Sequence, residues 1–115
     1  MFCTQQGRCG VVDYTTGLGR ISVGASDGLA FYNGGIAGTE VARFDASGNL
    51  GIGVVPSGWG SGFKAFQIGA KASLYAGSDG SLRLAYNAYY NGTAYNRIAA
   101  SSASQWLADT DGSFQ

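Results

Sequence analysis

The sequence predicts an all-β chain of short strands joined by tight turns, and three observations carry that prediction. The strong helix formers are nearly missing, with one glutamate (Glu40), two lysines (Lys64 and Lys71) and one methionine in 115 residues. Glycine occurs 20 times, so a helix of three turns would contain one or two, at about 1 kcal/mol each. Short apolar alternations recur along the chain, bounded by Asp-Gly, Asn-Gly or Ser-Gly, which is the pattern of half-buried strands and hairpin turns.

The elements follow in order. Ile21 and Val23 alternate with small residues, and Asp27-Gly28 turns the chain into Leu29-Ala30-Phe31-Tyr32 and Asn33-Gly34. Val41-Ala42-Arg43-Phe44 leads through Ser47-Gly48-Asn49 into Leu50-Gly51-Ile52-Gly53-Val54. Residues 56–62, Pro-Ser-Gly-Trp-Gly-Ser-Gly, read as a loop or linker. Beyond it, Phe66-Gln67-Ile68, Leu82-Arg83-Leu84-Ala85-Tyr86 and Thr93-Ala94-Tyr95-Asn96-Arg97-Ile98 repeat the alternation. The chain thus divides into an unassigned segment 1–19, a Gly-rich β module 20–55, the linker 56–62 and an aromatic-rich β module 63–115.

One spacing is sharper than the rest. Asp45-Ala46-Ser47-Gly48-Asn49-Leu50, Gly77-Ser78-Asp79-Gly80-Ser81-Leu82 and Asp109-Thr110-Asp111-Gly112-Ser113-Phe114 align on Gly48, Gly80 and Gly112, which are evenly spaced. Each reads as a turn with glycine at the left-handed position, followed by an apolar residue entering a strand. Equal intervals between three such units point to stacked modules, as in solenoids and fibres. The third unit is followed only by Gln115, so its strand is expected to be completed elsewhere, by further sequence or by another chain.

Seven basic residues balance seven acidic ones, so no net field favours nucleic acid or an anionic membrane surface. Charged residues make up 12%, about half the usual share of a soluble domain. Leu, Ile, Val and Phe together supply only about a fifth of the chain. A lone chain of this kind does not bury enough apolar surface to offset its ordering entropy. A homo-oligomer, and in particular a trimer, is expected. No apolar run approaches the roughly 20 residues of a membrane helix, so no membrane insertion is expected. The start Met-Phe-Cys-Thr-Gln-Gln lacks the pattern of a secretory signal. Cys3 and Cys9 could form one disulfide, remain two thiols, or supply half of a metal site; without histidine or a second cysteine pair, one chain has too few ligands for zinc.

Leu50-Gly51-Ile52-Gly53-Val54 puts three branched side chains on one face and only hydrogens on the other. Such a strand makes sense where another backbone approaches the bare face. Leu50, Ile52 and Val54 are therefore the candidate core strand of an intertwined trimer.

At these residues the sequence resembles a known family. Residues 41–53, Val-Ala-Arg-Phe-Asp-Ala-Ser-Gly-Asn-Leu-Gly-Ile-Gly, resemble the recurring "R-(apolar)-D-x-S-G-N-(apolar)-G-I-G" element of tailed-bacteriophage tail fibres and tailspikes. Leu29-Ala30-Phe31-Tyr32-Asn33-Gly34-Gly35 lies where that family carries an aromatic strand, and residues 84–104 resemble a second recurring piece, "N-A-Y-Y-(D/N)-G-x-x-(aromatic)". The likeness covers roughly residues 20–115. It implies a structural virion protein of the tail, made in the bacterial cytoplasm. Its fold would be an intertwined homotrimeric β-fibre or a β-prism or sandwich-like segment. Its partners would be other tail or fibre proteins and host surface polysaccharide. In the family the Gly-rich element often precedes a self-cleaving chaperone that directs trimerisation. The 115 residues hold no such domain, so the expectation is of the part that stays in the particle, of a truncated piece, or of a fibre that assembles without one.

Chemistry is sparse. With no histidine, neither a Ser-His-Asp nor a Cys-His centre can be built, and no cofactor or metal is expected. Tailspikes can hydrolyse glycans, and paired carboxylates would have to come from six aspartates and Glu40. Most of these stand in turn contexts, where aspartate bonds its own backbone. A glycan-depolymerising fragment is the enzymatic alternative, and a carbohydrate-binding domain unrelated to phage is the other. Asp109-Thr110-Asp111-Gly112 opens like a calcium loop but lacks the closing ligands. Tyr89, Tyr90, Tyr95 and Trp106, interleaved with amides, are the candidate glycan or receptor contacts. The competing reading makes them core, with Tyr hydroxyls at the rim. Tyr89 and Tyr90 are adjacent, so on a strand they face opposite sides and at least one is expected to meet solvent or a partner chain.

Overall fold

The computed structural model of the chain describes residues 2–3 and 9–114. Every regular element among them is a strand, so the all-β expectation holds. The strands are β1 (Phe2–Cys3), β2 (Cys9–Thr15), β3 (Leu18–Ser22), β4 (Leu29–Asn33), β5 (Thr39–Phe44) and β6 (Leu50–Ile52), then β7 (Lys64–Ile68), β8 (Ala72–Ala76), β9 (Leu82–Tyr86), β10 (Ala88–Tyr90), β11 (Tyr95–Arg97) and β12 (Ser104–Ala108). Strands β1 to β3 form a small antiparallel sheet in which Cys3 and Cys9 are backbone partners. The cysteine side chains lie outside the described residues.

The main sheet has seven strands in the order β12-β9-β8-β7-β6-β5-β4. All its pairings are antiparallel except β6 with β7, which are parallel. A parallel step cannot be closed by a two-residue turn, and here the chain crosses the sheet through residues 53–63. That stretch contains the expected linker 56–62. It joins neighbouring strands of one sheet, so 20–55 and 63–115 both contribute strands to it. A second excursion, the β10–β11 ribbon, leaves the sheet between β9 and β12.

Register assigns the faces. Partners across the ladders put Trp106, Leu84, Leu74, Phe66, Leu50 and Phe44 on one side. Arg83, Tyr75, Ala65, Ala85, Ser73 and Gln67 point to the other. The crossing loop and the β10–β11 ribbon cover this second side only. Trp59 and Phe63 from the loop, Ala65, Tyr75 and Ala85 from the sheet, and Ala88 from the ribbon form the buried core. Gln67 and Ser73 are buried there too, at 0% and 1% exposure. The first side is bare. Leu74, Leu84 and Ile68 remain 42%, 49% and 49% exposed. The larger aliphatic side chains of the sheet thus stand on its open face, while aromatics, alanines and two polar residues fill the covered one.

Polar residues can occupy the inside because each serves backbone. The Gln67 carbonyl oxygen accepts from the Ser57 N–H at 2.9 Å, which fastens the loop. The Asn49 side chain accepts from the Ala65 N–H at 3.0 Å and donates to Asp45 at 3.0 Å. Asn87, fully buried at a φ of 57°, accepts from the Ala99 N–H and donates to carbonyls of Ala99, Ser101 and Ser102. These amides stand in for ladder bonds where the strands stop.

The three evenly spaced turns are one structure repeated. In each, the first residue donates its N–H to the carbonyl four residues on at 2.9 Å. The glycine donates back to the first carbonyl at 3.0, 3.1 and 3.0 Å, and the φ values of Gly48, Gly80 and Gly112 are 83°, 84° and 85°. A side chain at any of these φ values would be strained. Leu50 and Leu82 then open strands, and Phe114 bridges to Ala108. By register all three turns lie along one rim of the sheet.

The candidate strand 50–54 departs from expectation. It ends at Ile52, because Gly53 adopts a φ of 67° and turns the chain. Val54 therefore does not continue the apolar row of Leu50 and Ile52. The bare face of Gly51 is approached closely, but by this same chain: a Cβ there would run into the Val54 carbonyl oxygen and lie 3.0 Å from Pro56. The glycine is needed because the crossing loop starts by folding back over its own strand.

Candidate functional site

The four candidate contacts separate into three environments. Tyr89 and Tyr90 both pack against the core and are both only partly buried. β10 is three residues long and lies across the core, with the Trp59 ring 6.0 Å from Tyr89 and the Phe63 ring 4.7 Å from Tyr90. Neighbours on a short ribbon inserted between two aromatic side chains are both held. Tyr95, opposite Tyr90 on β11, stacks on it at 5.0 Å and is 46% exposed. The Arg83 guanidinium lies 5.8 Å from the Tyr95 ring centre, a cation–π arrangement. Trp106 is 72% exposed and sits on the bare apolar face.

Two open grooves flank β12. One of about 220 Å³ lies beside Tyr95 and is lined by Ala88, Ala103, Ser104 and Gln105. It offers one half-exposed ring with a hydroxyl and an amide, the donor set for a sugar face. The other, about 270 Å³, lies between Tyr86 and Trp106. Tyr86 was legible in sequence only as one of a cluster; its exposure beside Trp106 depends on the β9–β12 pairing, which no local pattern announces.

The carboxylates are held in the turns and beside arginines. Asp45 accepts from the N–H groups of Ser47 and Asn49 at 2.9 and 2.8 Å. Asp79 accepts from the Ser81 hydroxyl and N–H and from Arg83, and Asp111 from the Ser113 N–H. Asp13 pairs with Arg20 at 2.8 Å and Glu40 with Arg43 at 2.7 Å. Hydrogen bonds from Ser81 and Ser113 hold Asp79 and Asp111 below the usual carboxylate range, and the Arg20 and Arg43 guanidinium groups do the same for Asp13 and Glu40. Among the described residues no three acidic or metal-ligating side chains converge.

A pH dependence follows. A carboxylate whose pKa is lower folded than unfolded contributes stability that is complete above its unfolded pKa and is lost as pH falls through the folded one. Four such groups predict a melting temperature that is level from neutral pH to about 5 and falls below about pH 4. Circular dichroism melts across that range check it, and a level profile down to about pH 2 would show that these bonds carry no stability. The chain matches no family model, no curated protein and no solved structure.

Proposed function

We propose that the chain is a structural segment of a phage tail fibre or tailspike. In this reading it is a β-rich homotrimeric piece of the virion tail that works beside other fibre proteins in host attachment and does no catalysis. The observation that carries the reading is the turn-and-strand unit returning at equal intervals with the same hydrogen bonds, its first copy inside the fibre-like element 41–53. Repeated strand units with few charges suit a shaft built by stacking. The described carboxylate bonds support a non-catalytic role, since they tie turns and arginines rather than face a common cleft. Host polysaccharide is the proposed receptor class, with the Tyr95 groove as its contact. The same groove favours, as a second reading, a carbohydrate-binding domain outside phage.

The purified protein is expected to block adsorption of the phage that carries it. Tyr95→Ala should block about tenfold less well, the loss of one stacking contact, with stability changed by no more than about 1 kcal/mol. Adsorption counts beside circular dichroism melts separate the two effects. No inhibition by the wild type, or equal inhibition by both, would overturn the attachment role of this groove.

A further inference from the structure

We propose that the bare apolar face of the seven-stranded sheet is an assembly surface, buried against two further copies of this chain. The inference deepens the homotrimer part of the fibre reading by assigning its interface, and it moves that interface away from the glycine face of residues 50–54.

The first argument is the open apolar face of the sheet. Phe44, Ile52, Ile68, Leu74 and Leu84 form rows on it at 40–49% exposure, while Tyr75, Ala65 and Ala85 are buried on the other face with Gln67 and Ser73. Folding a lone chain this way leaves its largest aliphatic side chains in water, the opposite of what the hydrophobic effect favours. The arrangement is favourable once that face is covered. Strand positions on the face carry a single charge, Lys64, at the rim where its ammonium bonds the Ser47 carbonyl. A partner must therefore be apolar as well, and the same face of another copy meets that requirement.

The second argument is area. The chain exposes 7561 Å², whereas a compact monomer of its mass exposes about 5,900 Å². Its radius of gyration is 16.6 Å, against about 13 Å for a compact domain of this length. The excess of about 1,600 Å², shared between this face and the exposed β2–β3 hairpin, exceeds the roughly 800 Å² that each partner gives to a standard interface. A closed ring of three asks each copy for two contacts, and the open face is the apolar surface available for them. A lipid surface fits less well: strands of three to six residues fall short of the nine to eleven that cross a bilayer.

Sedimentation velocity over a micromolar dilution series tests the assignment. The wild type is expected to sediment as three copies, as should Ile36→Asp, a fully exposed turn position off the face. Leu74→Asp and Leu84→Asp should sediment as one copy, with dissociation constants raised at least ~100-fold. Should either aspartate variant lose its circular dichroism signal, the Leu74→Ala/Leu84→Ala pair decides. Both side chains are half exposed in a lone chain, so alanine should weaken assembly and leave the dissociated chain folded. Variants that keep the wild-type mass and dissociation midpoint overturn the surface assignment and leave the fibre reading standing. A folded wild type of one-copy mass throughout overturns both the surface and the trimer. Flotation of single copies with phosphatidylcholine vesicles would instead assign the face to lipid and overturn the proposal.

Discussion

Tyr75→Ala is expected to remove most of the stability of the chain. Tyr75 is the largest fully buried side chain, 1% exposed at the centre of the core. Its ring lies 4.7 Å from Trp59 and 6.1 Å from Phe63, and its hydroxyl donates to Gln105 at 2.9 Å. It thereby joins the crossing loop, the sheet interior and the edge strand β12. Cutting an aromatic back to alanine in such a place costs about 3–5 kcal/mol, in a domain whose whole stability is on the order of 5–15 kcal/mol. Tyr75→Phe keeps the ring and loses only the hydroxyl bond, about 1 kcal/mol. Urea titrations followed by circular dichroism order the two, and equal losses would show that the hydroxyl, not the ring, holds the core. Burial also raises the Tyr75 pKa, so its contribution should fade as pH rises above about 10.

Gly51 and Gly53 are expected to fail for different reasons and by different amounts. At Gly51 a methyl group meets the Val54 carbonyl oxygen and Pro56, so the first residues of the crossing loop must lift. The loss should be about 3 kcal/mol, the upper part of the overpacking range, and Trp59 emission should shift to the red as the loop loosens. At Gly53 nothing lies within 4 Å of an added Cβ. The only penalty is the φ of 67°, about 1–2 kcal/mol. Alanine at each position, with urea titration and Trp59 emission as readouts, checks both, and a red shift in Gly53→Ala alone would reverse the assignment.

The sequence carried the local rules and little of the distant ones. The Asp-Gly and Ser-Gly turns were legible because a left-handed glycine is a local demand, and the even spacing of Gly48, Gly80 and Gly112 is the same in chain and structure. Strands with bulky alternation, such as β4, β5 and β9, were legible too. β8, Ala-Ser-Leu-Tyr-Ala, was not, since small residues blur the period on one face. β12 was hidden in a run of serines and alanines. Alternation locates a strand without saying which face is covered, so it does not place the chain's own core on Trp59, Phe63, Tyr75 and alanines. Trp59 was concealed in a stretch of Gly and Ser that looks like a linker. Of the candidate contacts, only packing distinguishes Tyr95 from Tyr89 and Tyr90.

The parallel pairing of β6 with β7 has a consequence of parity. Three strand steps separate the turn after β5 from the turn after β8. If every step reversed direction, an odd number would send successive Asp-Gly turns to opposite rims. One step that does not reverse makes the number of reversals even, so both turns emerge on the same rim. Between β8 and β12 the sheet has two antiparallel steps, again an even number of reversals, and the two strands of the β10–β11 excursion leave that parity unchanged. The same length of chain can thus advance the sheet by three strands or by two, about 14 or 10 Å at the usual strand spacing, without disturbing the alignment of the rim. A unit copied into this chain would keep that alignment only if its steps held an even number of reversals. Replacing residues 53–63 by a tight hairpin would move every later turn to the far side of the molecule.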